Sequence, residues 1–348
     1  MKQWIQSPSR RLMVACGVYL VAVAIQQVTH LERYRAKAPE AAVAVQERLY
    51  VRVREIWPEP HAAFVAGTLY GLQAHFPPAM KQDFANTGLT HVLAVSGFNV
   101  SIIVSVCSWA LGALRVRRKR AFYFVVLMVA GFVYLVGMSA SAVRAGVMGV
   151  LVLLSGALGR GGGSGTVLVV ACTLMVMAEP RILLFDRGFH LSVLATIGVT
   201  YASPRCEEIL RWITERWQLR GLVATTLGAY VLTFPYLLVV FGRVSLISIA
   251  ANLIVVPVIP CIMASGAIAL ALGFVWVPLG VALGIVSWIA SSYVLAVVTW
   301  SARIPYSSAE IAVHWSVAVL LYIFILVWLS RGNAPSRTSS SAVSALLS

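Results

Sequence analysis

The sequence predicts an all-α polytopic membrane protein with about nine to ten membrane segments, some of them broken or re-entrant helices. Three observations lead there. Of the 348 residues, 60% are hydrophobic and only 11% charged, whereas soluble domains devote about a quarter of their residues to charge. Mean hydropathy is +0.87. Several apolar runs also carry polar side chains or helix breakers near their middle, which hydrocarbon penalises unless protein or water satisfies the freed backbone groups.

Lys2, Arg10 and Arg11 precede an apolar run from Leu12 to Val28. The run continues past the small pair Ala22 and Ala24, which predicts a retained transmembrane anchor over 1–29 with a cytoplasmic amino terminus; a cleaved signal peptide is the alternative. Residues 30–61 turn polar, with charges of both signs and helical spacing broken at Pro39, and predict a short extracytoplasmic segment whose helix lies on or above the outer surface. The piece from Ala62 to Phe76 stops at Pro77 and Pro78, short of the about 20 residues a span requires, so it is expected to be interfacial or half-inserted.

Thr87 to Val104, TGLTHVLAVSGFNVSIIV, places His91, Ser96, Gly97 and Asn99 inside an apolar stretch. This predicts a broken or re-entrant helix beside a polar path; the plain alternative is a membrane helix in which Gly97 permits close packing. Arg115, Arg117, Arg118, Lys119 and Arg120 follow as RVRRKR. They suit both a positive-inside loop and a phosphate-contacting cytoplasmic exit, and the two readings are compatible. Spans are expected over 121–137 and 139–158. In the second, Ser141, Ala145 and Gly149 recur every four residues as a seam that lets helix backbones approach. Arg144 lies within that seam, where a charge costs about 2.5–3.5 kcal/mol at bilayer centre, so it must face a partner, a cavity or a phosphate, or else snorkel to the surface.

GRGGGSG, Gly159 to Gly165, has no Lys-Ser or Lys-Thr after it and reads as a connector rather than a nucleotide loop. Beyond the apolar run 166–178, Asp186, Arg187, His190 and Ser192 bracket Gly188 just before a new segment, with Asp186 placed either to cap a helix or to serve a site. Pro204 to Arg220 is amphipathic and is expected at the interface. The runs 221–241, with Pro235, and 244–263, with Asn252, Pro257 and Pro260, are expected to be kinked or discontinuous. Further runs lie at 264–278, 280–300 and 311–330, and the Ser-rich tail 331–348 reads as disordered.

Five cysteines form no CxxC pair, and six histidines form no HExxH or HxH cluster, so no disulfide framework, metal site, cofactor or catalytic residue is assigned. The net charge of +15 suits both positive-inside loops and an anionic substrate.

Gly88-Leu89-Thr90-His91, Leu93 to Gly97, Ser141 to Ala145, Asp186 to Ser192 with Ala195-Thr196, then Pro235, Asn252 and Pro257 occur in the order seen in ComEC-type competence proteins. The chain resembles the membrane domain of that family over residues 62–330. The resemblance implies an inner-membrane channel for single-stranded DNA in natural transformation, with His91, Ser96, Gly97, Asn99, Arg144, Asp186, His190, Ser192 and Asn252 as candidate DNA contacts. It also implies the lipid bilayer, an external DNA-binding competence protein, a cytoplasmic helicase-like motor, a separate nuclease and a homodimer as partners. Asn99 stands where a His is common in the family, and His190 where a Gln is common. The interval 30–61 is too short for the family's OB-like domain, and residues 331–348 are too few for its metallo-β-lactamase-like domain. Two other classes fit parts of the pattern: an intramembrane serine hydrolase or protease built on Ser96 with His91 or His190, and a small-molecule transporter with discontinuous helices.

Overall fold

A computed structural model describes residues 39–93, 95, 97–157, 164–215, 219–245, 247–304, 308–310 and 314–330. The expected amino-terminal anchor, the polar residues 30–38, Ser96, most of the glycine-rich connector and the Ser-rich tail lie outside the described residues. Apart from one pair of three-residue strands, Arg243–Ser245 and Ser308–Glu310, the regular elements are helical. The chain divides into two compact units, one of residues 36–161 and 244–309, the other of 1–35, 162–243 and 310–348.

In the first unit, α1 (Glu40–Ile56) starts after Pro39 and buries Ala42, Gln46, Tyr50, Val53 and Ile56, one face at helical spacing. The following helix, α2 (His61–Tyr70), buries Ala62 to Thr68 and Tyr70. The expected interfacial piece is therefore enclosed by protein: its small side chains let neighbours close on every side. α3 (Pro78–Asn86) opens on a proline, which has no N–H to leave unpaired. A short α4 (Thr90–Leu93) and a long α5 (Gly97–Ala113) follow, then α6 (Arg118–Leu135) and α7 (Ala140–Ala157).

Three of these helices end in the same turn. Leu89 N–H donates to Phe84 O (2.9 Å) and Gly88 N–H to Ala85 O (3.2 Å) after α3. Met138 and Gly137 repeat the pattern onto Val133 O and Tyr134 O after α6. Val116 and Arg115 repeat it onto Leu111 O and Gly112 O after α5. Each turn needs a left-handed residue, and Gly88 (φ 72°), Gly137 (φ 76°) and Arg115 (φ 53°) occupy that place.

α13 (Ser248–Val255), a 3-10 turn (Val256–Val258) and α14 (Ile259–Val275) form one interrupted rod that runs through the two segments expected at 244–263 and 264–278. It pairs with α15 (Val277–Ala302) through glycines: a β-carbon on Gly280 would lie 2.7 Å from Gly273 Cα. One turn beyond Gly280, Trp57 donates its indole N–H to Gly284 O (2.9 Å).

The second unit holds α8 (Ser164–Ala178), α9 (Ile182–Phe185), α10 (Arg187–Ile197), α11 (Ser203–Ile209), α12 (Leu219–Phe241) and α16 (Trp315–Ser330). A π turn, Gly198–Ala202, joins α10 to α11 without a break. The amphipathic run 204–220 is not one helix: its first residues extend the preceding helix, and Leu219 and Arg220 already belong to the next one. The continuous α10–α11 helix crosses α12 where a β-carbon on Gly198 would overlap Gly228 O, so only glycine fits there. Of the two outcomes expected for 221–241, kinked or discontinuous, the second is ruled out: α12 runs as one helix through Pro235.

Leu219–Phe241, Ser248–Val275 and Val277–Ala302 are long and apolar enough to cross a membrane, and four shorter apolar helices accompany them among the described residues. With its hydropathy, this makes the chain an all-α membrane protein.

Candidate functional site

The interruption expected in Thr87–Val104 is present. Helix α4 stops at Leu93 and α5 begins at Gly97. A broken ladder leaves carbonyls without their own N–H partners, and in a low-dielectric interior each must find another. Gln73 donates its side-chain amide to Leu93 O (2.7 Å), and the Ser141 hydroxyl donates to Val95 O (2.9 Å). Asn99, one turn into α5 and only 4% exposed, donates to Thr68 O (3.1 Å). Gln46, also buried, donates to Tyr70 O and Leu135 O, the last residues of α2 and α6. Four side chains thus hold main-chain carbonyls around the break.

The seam predicted from spacing is what lies against it. A β-carbon on Gly97 would sit 3.9 Å from Ala145, and one on Gly149 would sit 3.6 Å from Val100. Ser141 from the same stripe supplies the hydroxyl to Val95 O. Arg144 is 3% exposed on that helix.

His91 links the break to the interrupted α13 rod. Its Nδ1 lies 3.2 Å from Gly88 O and its Nε2 3.2 Å from Asn252 Oδ1. Gly88 permits the approach, since a β-carbon there would come within 2.7 Å of Ser248 Cβ. His91 and Gly97 are exposed, as are Ser101 and Ser105 at the next positions of the same α5 face. Ser101 returns its hydroxyl to Gly97 O (2.9 Å), which keeps the helix intact while the oxygen stays accessible. Arg115, Arg117, Lys119 and Arg120 are exposed at the far end of α5.

Asp186, His190 and Ser192 belong to the second unit. Asp186 caps α10, accepting the Phe189 N–H at 3.0 Å. His190, 1% exposed, lies 2.9 Å by Nδ1 from the Tyr236 hydroxyl and 2.7 Å by Nε2 from Leu183 O. A carbonyl only accepts, so Nε2 carries the proton and Nδ1 receives the Tyr236 O–H: a neutral ring satisfies both. Ser192 is half-buried, and its carbonyl accepts the Thr196 hydroxyl.

Sequence reasoning passed over Gln46, Gln73, Thr68 and Tyr236. The only signal was an amide in a segment of mixed charge for Gln46 and a lone amide in an apolar segment for Gln73. On α1 the Tyr50 hydroxyl bonds to Glu59, and burial, followed by that carboxylate, pushes the phenol well above its ordinary pKa. Among the described residues, no three His, Cys, Asp or Glu side chains are grouped to hold a metal ion.

Residues 68–332 match the family model described as Competence protein. A curated relative, ComE operon protein 3 of Bacillus subtilis (strain 168), is 22% identical over 245 residues, which cover 70% of this chain and 30% of that protein. The match thus spans less than a third of the relative's length. No solved structure matches.

Proposed function

The chain belongs to the competence protein family, and on that premise we propose that it passes single-stranded DNA across the bacterial inner membrane during natural transformation. The observation that carries this reading is the division of labour at the α4–α5 break. Neighbouring side chains satisfy the carbonyls around the interruption, while His91, Gly97, Ser101 and Ser105 leave one face of an otherwise apolar helix accessible and polar. Neutral hydroxyl, imidazole and amide groups are suited to a moving polyanion, because each contact is weak enough to release it. Arg144 would supply the countercharge a phosphate needs, and Asn252 a second amide beside His91. Asp186, His190 and Ser192, at α10 of the second unit, remain candidate contacts of the strand in this reading. The energy, the delivery of the strand and its degradation would come from partners: a cytoplasmic helicase-like motor, an external DNA-binding protein and a separate nuclease.

A serine hydrolase gains nothing from this geometry, since both ring nitrogens of His91 and of His190 are already engaged. The test is uptake of labelled DNA into the cytoplasm of deletion and complemented strains. Complementation with Ser101→Leu/Ser105→Leu is expected to leave uptake at the level of the deletion strain while the protein accumulates normally. Uptake equal to wild type would remove the strand from this helix face.

A further inference from the structure

Of the three matching helix-end turns in the first unit, two use glycine at the left-handed position and one uses Arg115. A β-carbon is strained there, so an arginine gives up backbone comfort that glycine would provide. The next residue, Val116, packs inward against the cluster that contains Leu111, which turns the basic residues outward. Arg115, Arg117, Lys119 and Arg120 are all exposed, and the sequence holds no Asp or Glu between Asp83 and Glu179 to neutralise them. Trp109, Leu114 and Tyr123 flank this tip and are 75%, 75% and 71% exposed.

We infer that residues 109–123 form a docking surface for acidic phospholipid headgroups, with the lipid phosphate held by the basic tip and the acyl chains by the apolar flank. Aromatic side chains beside a cationic cluster are the arrangement that sits at the boundary between hydrocarbon and water. A nucleic acid strand would share the phosphate chemistry but not the rest. The flank continues along Val106 on α5 and Phe124, Leu127 and Met128 on α6, an exposed and mostly aliphatic and thioether surface that suits acyl chains more than stacked bases. The lipid thus takes the basic tip in place of the strand, and the proposal stands without the uptake reading.

The purified full chain in neutral-detergent micelles tests it by thermal unfolding with added phosphatidylglycerol, phosphatidylcholine or a single-stranded oligonucleotide at equal phosphate. Phosphatidylglycerol is expected to raise the unfolding temperature of the wild type, and phosphatidylcholine is not. Replacing all five basic residues by Gln should abolish the shift. The variant in which the four arginines become lysine should keep it, because a headgroup at the surface reads charge. Arg115→Gly relieves the left-handed strain, so it should unfold no earlier than wild type without lipid yet show a smaller lipid shift. Equal lipid shifts in the wild type and the five-Gln protein would overturn the proposal. So would an oligonucleotide shift that needs the five residues while the lipid shift does not.

Discussion

Two interruptions of the helical ladder, one in each unit, are accommodated in different ways. One helix stops at Leu93 and the next starts at Gly97, whereas α12 continues through Pro235. Gln73 and Ser141 reach Leu93 O and Val95 O at the first; at the second, the carbonyl without a ladder donor is Val231 O, and beside it Tyr322 donates to Leu232 O (3.0 Å) from α16 while Thr233 returns its hydroxyl to Ala229 O (3.0 Å) within α12. The difference lies in what remains accessible. Pro235 and Tyr236 are buried, so that interruption is absorbed into packing, while the break presents His91 and Gly97 outward. A missing hydrogen bond therefore does not by itself mark a path. A missing bond whose carbonyls are held by neighbours while polar groups stay exposed is the stronger sign.

The comparison is most exposed to Asn99. Asn99→Leu removes the donor to a buried carbonyl, so the first unit should lose about 1–3 kcal/mol of stability. Thermal unfolding in micelles would show this as a lowered midpoint, and uptake should fall with it. A normal midpoint with lost uptake would mean that Asn99 touches the strand directly and does not brace the break. Next come Ser141→Ala and Tyr322→Phe, each deleting one hydroxyl that serves a carbonyl, at about 0.5–1.5 kcal/mol apiece. The two should destabilise alike but differ in function: Ser141→Ala should reduce DNA uptake, and Tyr322→Phe should not. Equal uptake defects would erase the distinction between the two interruptions.

Much of the break was legible in the sequence, because a Ser-Gly-Phe-Asn interruption inside an apolar run has few physical outcomes and Ser141, Ala145 and Gly149 repeat at the spacing of one helix face. The braces were not legible. Gln46 sits in a segment of mixed charge and Gln73 in an apolar one, and their acceptors lie up to 89 residues away. The continuity of α12 through Pro235 was no more legible: the missing N–H is visible locally, but Tyr322, which donates to the nearby Leu232 O, lies 90 residues from that acceptor. That a π turn carries α10 onward into the amphipathic run was not legible, because charge and indole content give the run's polarity and not its connection to the helix before it. The enclosure of α2 was not legible because length separates a span from a shorter piece but does not separate lipid from protein as the surrounding medium.

Pro235→Ala carries the smallest expected effect and the sharpest consequence. The substitution returns an N–H that can donate to Val231 O and removes the ring that crowds the preceding turn. In an exposed helix interior the gain would be about 3 kcal/mol, but here Pro235 is buried, and the space left by its ring offsets most of that gain. The expected midpoint is equal to wild type or slightly higher, and uptake should be unchanged, because the proline is enclosed and α12 is continuous through it. If uptake instead collapsed while the protein stayed folded, the bend at Pro235 would belong to the conducting machinery. Enclosure would then no longer separate a structural interruption from a functional one.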